Sequence, residues 1–110
     1  MMDLEQFLLC KIAEEANEVG HRAMKQQQYG RDEVQPGQPW SNGERLGAEV
    51  WDMAAVASLL VSLGAMPHAT PEALEQLRVA KVAKMRRYLE LSISLGRVAP
   101  EALANFDALP

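Results

Sequence analysis

The stretch SNGERLGAEVWDMAAVASLLVSL, residues 41–63, decides the fold class of this chain. Ser41 stands three residues before Glu44, which is the spacing of a capping box at the start of a helix. The apolar positions that follow recur every three to four residues, as they do on one face of a helix. Gly64 comes next, where a helix C-terminus favours glycine. The sequence therefore predicts a helix over about 42–63.

Helical patterns flank this stretch on both sides. The start signal Thr70-Pro71-Glu72 combines an N-cap threonine with a proline at the first helical position. No strand pattern or repeat is visible, and the loop 29–41 contains two prolines and two glycines. Gly20, inside the first predicted helix, marks close packing of a neighbour or an early end. We expect an all-α fold, a helical bundle of three main helices plus a short C-terminal helix, with additional helices over about 3–28, 70–95 and 100–106.

Length and composition limit the classes of protein to be considered. The 110 residues predict one domain, 1–110, and a hydrophobic content of 48% argues against disorder. The net charge of -4 argues against a nucleic-acid polymer as partner, because such proteins carry a basic face. The N-terminus is acidic where a signal peptide is basic, and no apolar run approaches the roughly 20 residues that cross a bilayer. We therefore expect a soluble, cytoplasmic protein without a membrane partner.

Two carboxylates break the amphipathic pattern of the second helix. Glu49 falls near the middle of the apolar side and Asp52 toward its edge, although an amphipathic helix keeps charges on the opposite side. A buried, unpaired carboxylate costs several kcal/mol. No Lys or Arg lies within a turn of Asp52, and Arg45 alone could reach Glu49. Hard oxygen ligands suit Mg²⁺ or Mn²⁺ better than zinc, so this pair predicts a divalent-metal site.

The first predicted helix has the same anomaly. Glu15 and Glu18 lie inside its apolar arc, on adjacent turns, and Glu14 lies just outside it. Lys11 and Arg22 share that stripe. Ion pairs with i, i+4 spacing, Lys11–Glu15 and Glu18–Arg22, are therefore an alternative explanation that stays open.

These acids form a pattern that resembles a known family. Glu14-Glu15-Ala16-Asn17-Glu18 followed by Glu49-Val50-Trp51-Asp52 resembles the EExxE…ExxD signature of the MazG-like, all-α nucleoside triphosphate pyrophosphohydrolases. That superfamily includes the dimeric dUTPases and the dCTP pyrophosphatases. The resemblance extends to about Tyr88. The segment between the two motifs is somewhat long for the family, and the extra residues fall in the 29–41 loop.

The resemblance implies an activity and a ligand set. The activity is Mg²⁺-dependent cleavage of a nucleoside triphosphate to a monophosphate and pyrophosphate, by attack of metal-activated water on the α-phosphorus. Carried over position by position, Glu15, Glu18, Glu49 and Asp52 would be the metal ligands. Glu14 would be a support residue or a water-positioning base. We therefore take Glu14 and Glu15 as the candidate catalytic residues.

A basic run in the third helix would suit the phosphates. The helical wheel places Lys81 in the middle of the apolar arc and Lys84 at its edge. The run resembles a K-x-x-K-N-x-x-R-Y-like segment of some family members, with Met85 where an asparagine often stands. Alternatively, Lys81 lies along apolar surface or pairs with a carboxylate of another helix. The residues that we expect to contact substrate are Lys81, Lys84, Arg87, Tyr88 and Trp40.

Three aromatic residues, Tyr29, Trp40 and Trp51, could stack on a base. Trp51 lies inside the second predicted helix, and we interpret it as core filler. Trp40 lies in the loop before that helix, where it is the better candidate for a lid contact.

Two other functions stay open. Glu18-Val19-Gly20-His21 is an E-x-x-H, the repeat that di-iron carboxylate bundles use, although such a site needs two copies and further glutamates. A non-catalytic helical interaction module is the second alternative, because a fold does not determine a function. Whatever the function, we expect a homo-oligomer, a dimer or a tetramer, that completes the bundle. The small apolar residues Ala54, Ala55 and Val61 line the outer side of the second helix.

Overall fold

Four helices form the regular structure of the chain in a computed structural model that describes all 110 residues. No strand is present. The predicted all-α class, with three long helices and a short C-terminal one, is confirmed, and the predicted ends differ by one or two residues. The helices are α1 (Leu4–Tyr29), α2 (Asn42–Leu63), α3 (Pro71–Ser94) and α4 (Glu101–Asp107).

The chain divides into two compact units, Met1–His68 and Ala69–Pro110. The first unit holds α1 and α2, which pack against each other, and the second holds α3 and α4. Contacts between α1 and α2 run in opposite order along the two helices, so they form an antiparallel hairpin. The prediction of one domain over 1–110 stays a prediction.

The sequence signals for helix starts act as expected. Ser41 Oγ accepts the backbone N–H of Glu44 at 3.2 Å, and Glu44 Oε1 accepts the backbone N–H of Ser41 at 3.2 Å. Thr70 Oγ1 accepts the backbone N–H of Ala73 at 3.1 Å, at the start of α3. These bonds satisfy backbone donors that have no partner inside the helix. Both helices therefore begin where the capping residues stand.

The loop between α1 and α2 is held by Asn42, whose side chain is only 1% exposed. Its Nδ2 donates to the carbonyl of Gly30 at 2.9 Å, and its backbone N–H donates to the carbonyl of Glu33 at 2.9 Å. The next residue, Gly43, donates to the carbonyl of Arg31 at 2.9 Å. A Cβ at Gly43 would lie 3.3 Å from that oxygen, so glycine permits the close approach. These bonds place the start of α2 beside the end of α1.

Little of the apolar surface is covered. Leu8 of α1 and Leu60 of α2 are the buried hydrophobic side chains, and α3 contains no buried residue. Trp51 is 73% exposed, so its interpretation as core filler is wrong. Two helices can cover only one side of each other, which explains why a residue on the far side of α2 meets solvent.

α1 continues through Gly20 without interruption, and nothing lies within 4 Å of a Cβ built there. Gly20 therefore marks neither an early helix end nor the close packing of a neighbour.

α2 is long and apolar enough to cross a membrane by length and composition alone, contrary to the expectation from the sequence. Its 22 residues include an 18-residue window with a mean hydropathy of 1.5, and 6% of that window is buried. The core helix of a soluble protein meets the same criteria when it is covered.

Candidate metal centre

Three carboxylates meet on the seam between α1 and α2. Glu15 comes from α1, and Glu49 and Asp52 come from α2. One oxygen from each of the three lies within 4.8 Å of the others. Glu15 and Glu49 are partly buried, and Asp52 is exposed. We call these three residues the acid triad.

The helix geometry explains why the acid triad forms. Glu49 and Asp52 are three residues apart, so they project from neighbouring turns of the same side of α2. The hydrogen bond from Asn42 to Gly30 holds one end of the hairpin together, and the buried residues Leu8 and Leu60 lie toward the other end. The middle of α1 is thereby brought level with the middle of α2, and Glu15 faces the two acids of α2.

No cation neutralises the acid triad. Lys11 Nζ pairs with Glu14 Oε2 at 3.1 Å, and Arg45 Nη1 donates to Gln35 Oε1 at 3.1 Å. The chain forms no ion pair to Glu15, Glu18, Glu49 or Asp52. The alternative that Lys11–Glu15 and Glu18–Arg22 pairs account for the acids of α1 is therefore wrong.

The surroundings raise the pKa of Glu15 above its ordinary value. Desolvation at the seam is the largest cause, followed by a hydrogen bond with Glu49 and by repulsion from the charges of Glu49, Asp52 and Glu14. Each of these effects favours the protonated carboxyl over the carboxylate.

The acid triad has the chemistry and the dimensions for a divalent cation. Carboxylate oxygens are the ligands that Mg²⁺ prefers in proteins. The three oxygens lie within 4.8 Å of one another, so they are close enough to approach one ion from both helices. Mg²⁺ usually retains several waters or phosphate oxygens, which leaves room for a ligand beside three carboxylates.

Glu18 and Glu14 lie outside this cluster. Glu18 is exposed and its carboxylate is not among the groups that converge, although it was predicted as a fourth ligand. Glu14 is also exposed and holds Lys11. The structure thus brings together three of the four predicted metal ligands.

The predicted substrate contacts are separate from the acid triad in the chain. Lys81, Lys84 and Arg87 are exposed on α3, as are Leu74 and Leu77 of the apolar arc in which Lys81 was predicted, so the inward position of Lys81 stays a prediction. Lys84 Nζ lies 5.6 Å from the centre of the Tyr88 ring. These four residues belong to the second unit, and their contact with a ligand of the acid triad stays a prediction. Trp40 is exposed in the loop before α2, and its contact with a substrate stays a prediction.

Two residues of the hairpin have buried polar atoms that the sequence did not predict. Arg22 was considered only as a partner for Glu18, but its Nη1 is buried without a hydrogen-bond partner. Arg22 lies seven residues after Glu15, which places it on the same face of α1 two turns away. Asn42 was read as an ordinary first residue of α2, and its Oδ1 is also buried without a partner. The spacing from Glu15 was a usable signal for Arg22, but no sequence signal indicated that Asn42 is buried.

No family model, curated protein or solved structure matches this chain. The resemblance to the MazG-like pyrophosphohydrolases therefore rests on the motif residues alone.

Proposed function

We propose that the acid triad binds a divalent cation, Mg²⁺ with Mn²⁺ as a substitute, and that the protein is a nucleoside triphosphate pyrophosphohydrolase. The observation that carries the proposal is the convergence of three carboxylates from two helices without any cation among them. Like charges about 4 Å apart repel by roughly 1–4 kcal/mol, depending on the effective dielectric constant. A cation bound among them would turn this repulsion into attraction.

The residues of the chain have distinct tasks in this proposal. Glu15, Glu49 and Asp52 hold the cation from both sides of the seam. When bound, the cation supplies positive charge for the triphosphate and makes a water a better nucleophile for the α-phosphorus. Glu18, one turn beyond Glu15, is free of ion pairs and would orient an outer ligand. Glu14 stays a candidate for positioning the attacking water, although it would first have to leave Lys11.

The cations of α3 complete the proposal. Lys81, Lys84 and Arg87 form no ion pair within the chain, so they are free to contact phosphate oxygens. Tyr88 and Trp40 are exposed and would stack on the base. The products would be a nucleoside monophosphate and pyrophosphate. We also propose a cytoplasmic location, where nucleoside triphosphates are abundant, and no nucleic-acid polymer as partner.

Pyrophosphate release from a panel of ribo- and deoxyribonucleoside triphosphates tests the proposal. We expect release with Mg²⁺ or Mn²⁺ and none with EDTA. Glu49→Gln should lower the rate at least about 100-fold, because it removes a ligand and even outer-shell partners of metals cost 10–100-fold. Glu5→Gln, on an exposed residue in the first turn of α1, is the matched control and should retain the rate. Silence across the whole panel with both metals would contradict the proposal.

The second candidate is a non-catalytic helical interaction module. The extent of exposed apolar surface favours it, since large uncovered patches mark sites of association. A protein that binds Mn²⁺ but releases no pyrophosphate from any triphosphate would fit that function. The di-iron alternative has less support, because His21 is exposed and no histidine joins the acid triad.

A further inference from the structure

One face of α1 carries an apolar, an acidic and a basic residue at equal intervals. Leu8, Glu15 and Arg22 follow one another at a spacing of seven residues. This spacing returns to the same side of a helix, about 10 Å along its axis. The acid triad therefore has an apolar neighbour in one direction along the seam and a cation in the other.

Arg22 lies on the seam between α1 and α2. Glu15, two turns before it, converges with the acids of α2. Gln26, one turn after it, places its Oε1 3.8 Å from a Cβ built on Gly43 at the start of α2. Since both neighbours on this side of α1 face α2, the side chain between them faces α2 as well. The burial of Arg22 Nη1 agrees with this position.

The charge of Arg22 has no partner in the chain. Nη1 is buried without a hydrogen bond, and the guanidinium forms no ion pair and lies over no aromatic ring. A buried donor without an acceptor costs free energy that an anionic oxygen would recover. No polar contact holds the guanidinium, so it can turn toward an anion at the acid triad. The other four lysines and arginines of the first unit each have a partner: Lys11 has Glu14, Lys25 has the Tyr29 ring, Arg31 has Asp32, and Arg45 has Gln35.

The seam also limits the direction in which a bound triphosphate can extend. Toward Leu8 it leads to a groove of about 290 Å³ whose lining is apolar except for Ser62. Phosphate groups would lose their hydration there without compensation. Toward Arg22 the seam offers a guanidinium, whose fork of N–H donors matches phosphate oxygens. The chemistry of the two directions therefore favours the one toward Arg22.

We propose that Arg22 binds the terminal phosphate of the nucleoside triphosphate and makes the site select triphosphates over diphosphates. This inference rests on the proposed function, in which the α-phosphorus lies at the cation of the acid triad. The β- and γ-phosphates then extend along the seam toward Arg22. A diphosphate is one phosphate shorter and leaves the guanidinium unpaired. Arg22 is thus a specificity-determining residue on the same hairpin as the metal site.

Isothermal titration calorimetry tests the proposal with two nucleotides that cannot be cleaved between the α- and β-phosphates. They are the α,β-methylene triphosphate and diphosphate of the nucleoside whose triphosphate releases pyrophosphate fastest, each with Mg²⁺. The wild type should bind the triphosphate about 10–100-fold more tightly, which is the contribution of a hydrogen bond to a charged group. Arg22→Gln should lose this preference and keep its affinity for the diphosphate. Arg31→Gln, on an exposed arginine of the loop, is the matched control and should keep the preference.

Two further measurements separate the phosphate contact from the fold and from the metal site. Arg22→Gln should bind Mn²⁺ without nucleotide at least as tightly as the wild type, because the acid triad is intact. Arg22→Lys retains the charge but not the fork, so it should recover only part of the preference. It replaces Arg22→Gln if circular dichroism shows that the glutamine variant has lost its helices.

The outcomes distinguish a failure of this contact from a failure of the proposed function. A triphosphate preference that survives at Arg22→Gln and Arg22→Lys, or an equal weakening of both nucleotides, would overturn the role of Arg22 and leave the metal site in place. A wild type that cleaves no triphosphate would contradict the proposed function and the role of Arg22 together.

Discussion

The two units of this chain differ in whether their carboxylates are paired with a cation. In the second unit, Arg86 donates from Nε and Nη2 to the two carboxylate oxygens of Asp107, each at 3.0 Å, and also pairs with Glu90. In the first unit, Glu15, Glu49 and Asp52 meet without a cation. In the Arg86–Asp107 pair each charge has its partner within the chain. The pair joins α3 to α4, so a structural role accounts for it. The acid triad has no such partner within the chain, and the proposed metal site rests on this difference.

The pKa values follow this contrast. The hydrogen bond from Arg86 lowers the pKa of Asp107, with the positive charge of Arg86 adding to the effect. Desolvation and the neighbouring acids raise the pKa of Glu15. The same residue class is thus stabilised as an anion in one unit and destabilised as an anion in the other.

A lysine introduced into the acid triad should abolish the proposed metal-dependent activity. Asp52→Lys would place an ammonium group beside Glu15 and Glu49, as Arg86 is placed beside Asp107. We expect the Mg²⁺-dependent pyrophosphate release to fall at least about 100-fold, since a ligand is lost and the cation is repelled. The metal-free protein should melt at a higher temperature than the metal-free wild type, because repulsion becomes attraction.

Asp32→Lys is the matched control for this variant. It makes the same change of charge in the exposed loop, where Asp32 faces Arg31 at 3.8 Å, and should retain the activity. Undiminished Mg²⁺-dependent turnover in Asp52→Lys would show that the reaction does not require the acid triad.

Breaking the complete pair should destabilise the second unit in a pH-dependent way. Asp107→Asn should lower the melting temperature by a few degrees at neutral pH. The pKa of Asp107 is lower in the folded chain, so the unfolded chain binds more protons between the two pKa values and stability falls with acidification. The difference between wild type and variant should therefore vanish as the pH drops through the lowered pKa, as measured by thermal unfolding followed by circular dichroism.

Glu90→Gln is a suitable control, because it removes the other partner of Arg86 and leaves the bond to Asp107. A gap between wild type and Asp107→Asn that stays constant down to strongly acidic pH would show that the ion pair does not account for the loss.

The acid triad should give the opposite pH dependence in metal-free protein. The pKa of Glu15 is raised, so the folded chain binds more protons just above the ordinary pKa of a glutamate. The contribution of Glu15 to stability therefore increases as the pH falls through the raised pKa. Glu15→Gln should flatten this dependence in urea unfolding with EDTA present, whereas Asp107→Asn should retain it. A steeper acid dependence in Glu15→Gln would be incompatible with the raised pKa.

Gly20 offers a measure of α1 that is independent of both charge clusters. It lies inside the helix with open space around it, so Gly20→Ala should stabilise the protein by about 0.5–1 kcal/mol through helix propensity. Urea unfolding measures the change, and activity should not alter. Gly43→Ala is the contrasting control and should destabilise, because its Cβ would crowd the Arg31 carbonyl. A loss of stability in Gly20→Ala would indicate that a partner packs closely on that side of α1.

The local features of this fold were predictable from sequence, because caps, glycines and apolar periods act within a few residues. Ser41, Thr70 and Gly64 placed the helix ends correctly. Burial was harder, since it depends on which side of each helix is covered. Lys81 and Trp51 lie on α3 and α2 at positions that no neighbour covers in this chain.

The acid triad was predictable only in part, because two of its members lie on one helix and the third depends on how the two helices pair. Glu49 and Asp52 are conspicuous within α2 because the helix offers them no cation. The contribution of Glu15 depends on the register of the hairpin, which Asn42 helps to set through bonds to the loop. Glu18 shares the sequence pattern but is exposed and does not converge with the other three, and no local rule distinguishes it from Glu15.

The central claim is that the acid triad binds a divalent cation. A titration with Mn²⁺ tests it most directly, with binding measured as the loss of the free-ion signal in electron paramagnetic resonance. The wild type should bind Mn²⁺ in a stoichiometric amount per acid triad, Mg²⁺ should compete, and Glu49→Gln should bind far less while Glu5→Gln binds normally. Equal binding by the wild type and Glu49→Gln, or no binding by either, would contradict the account.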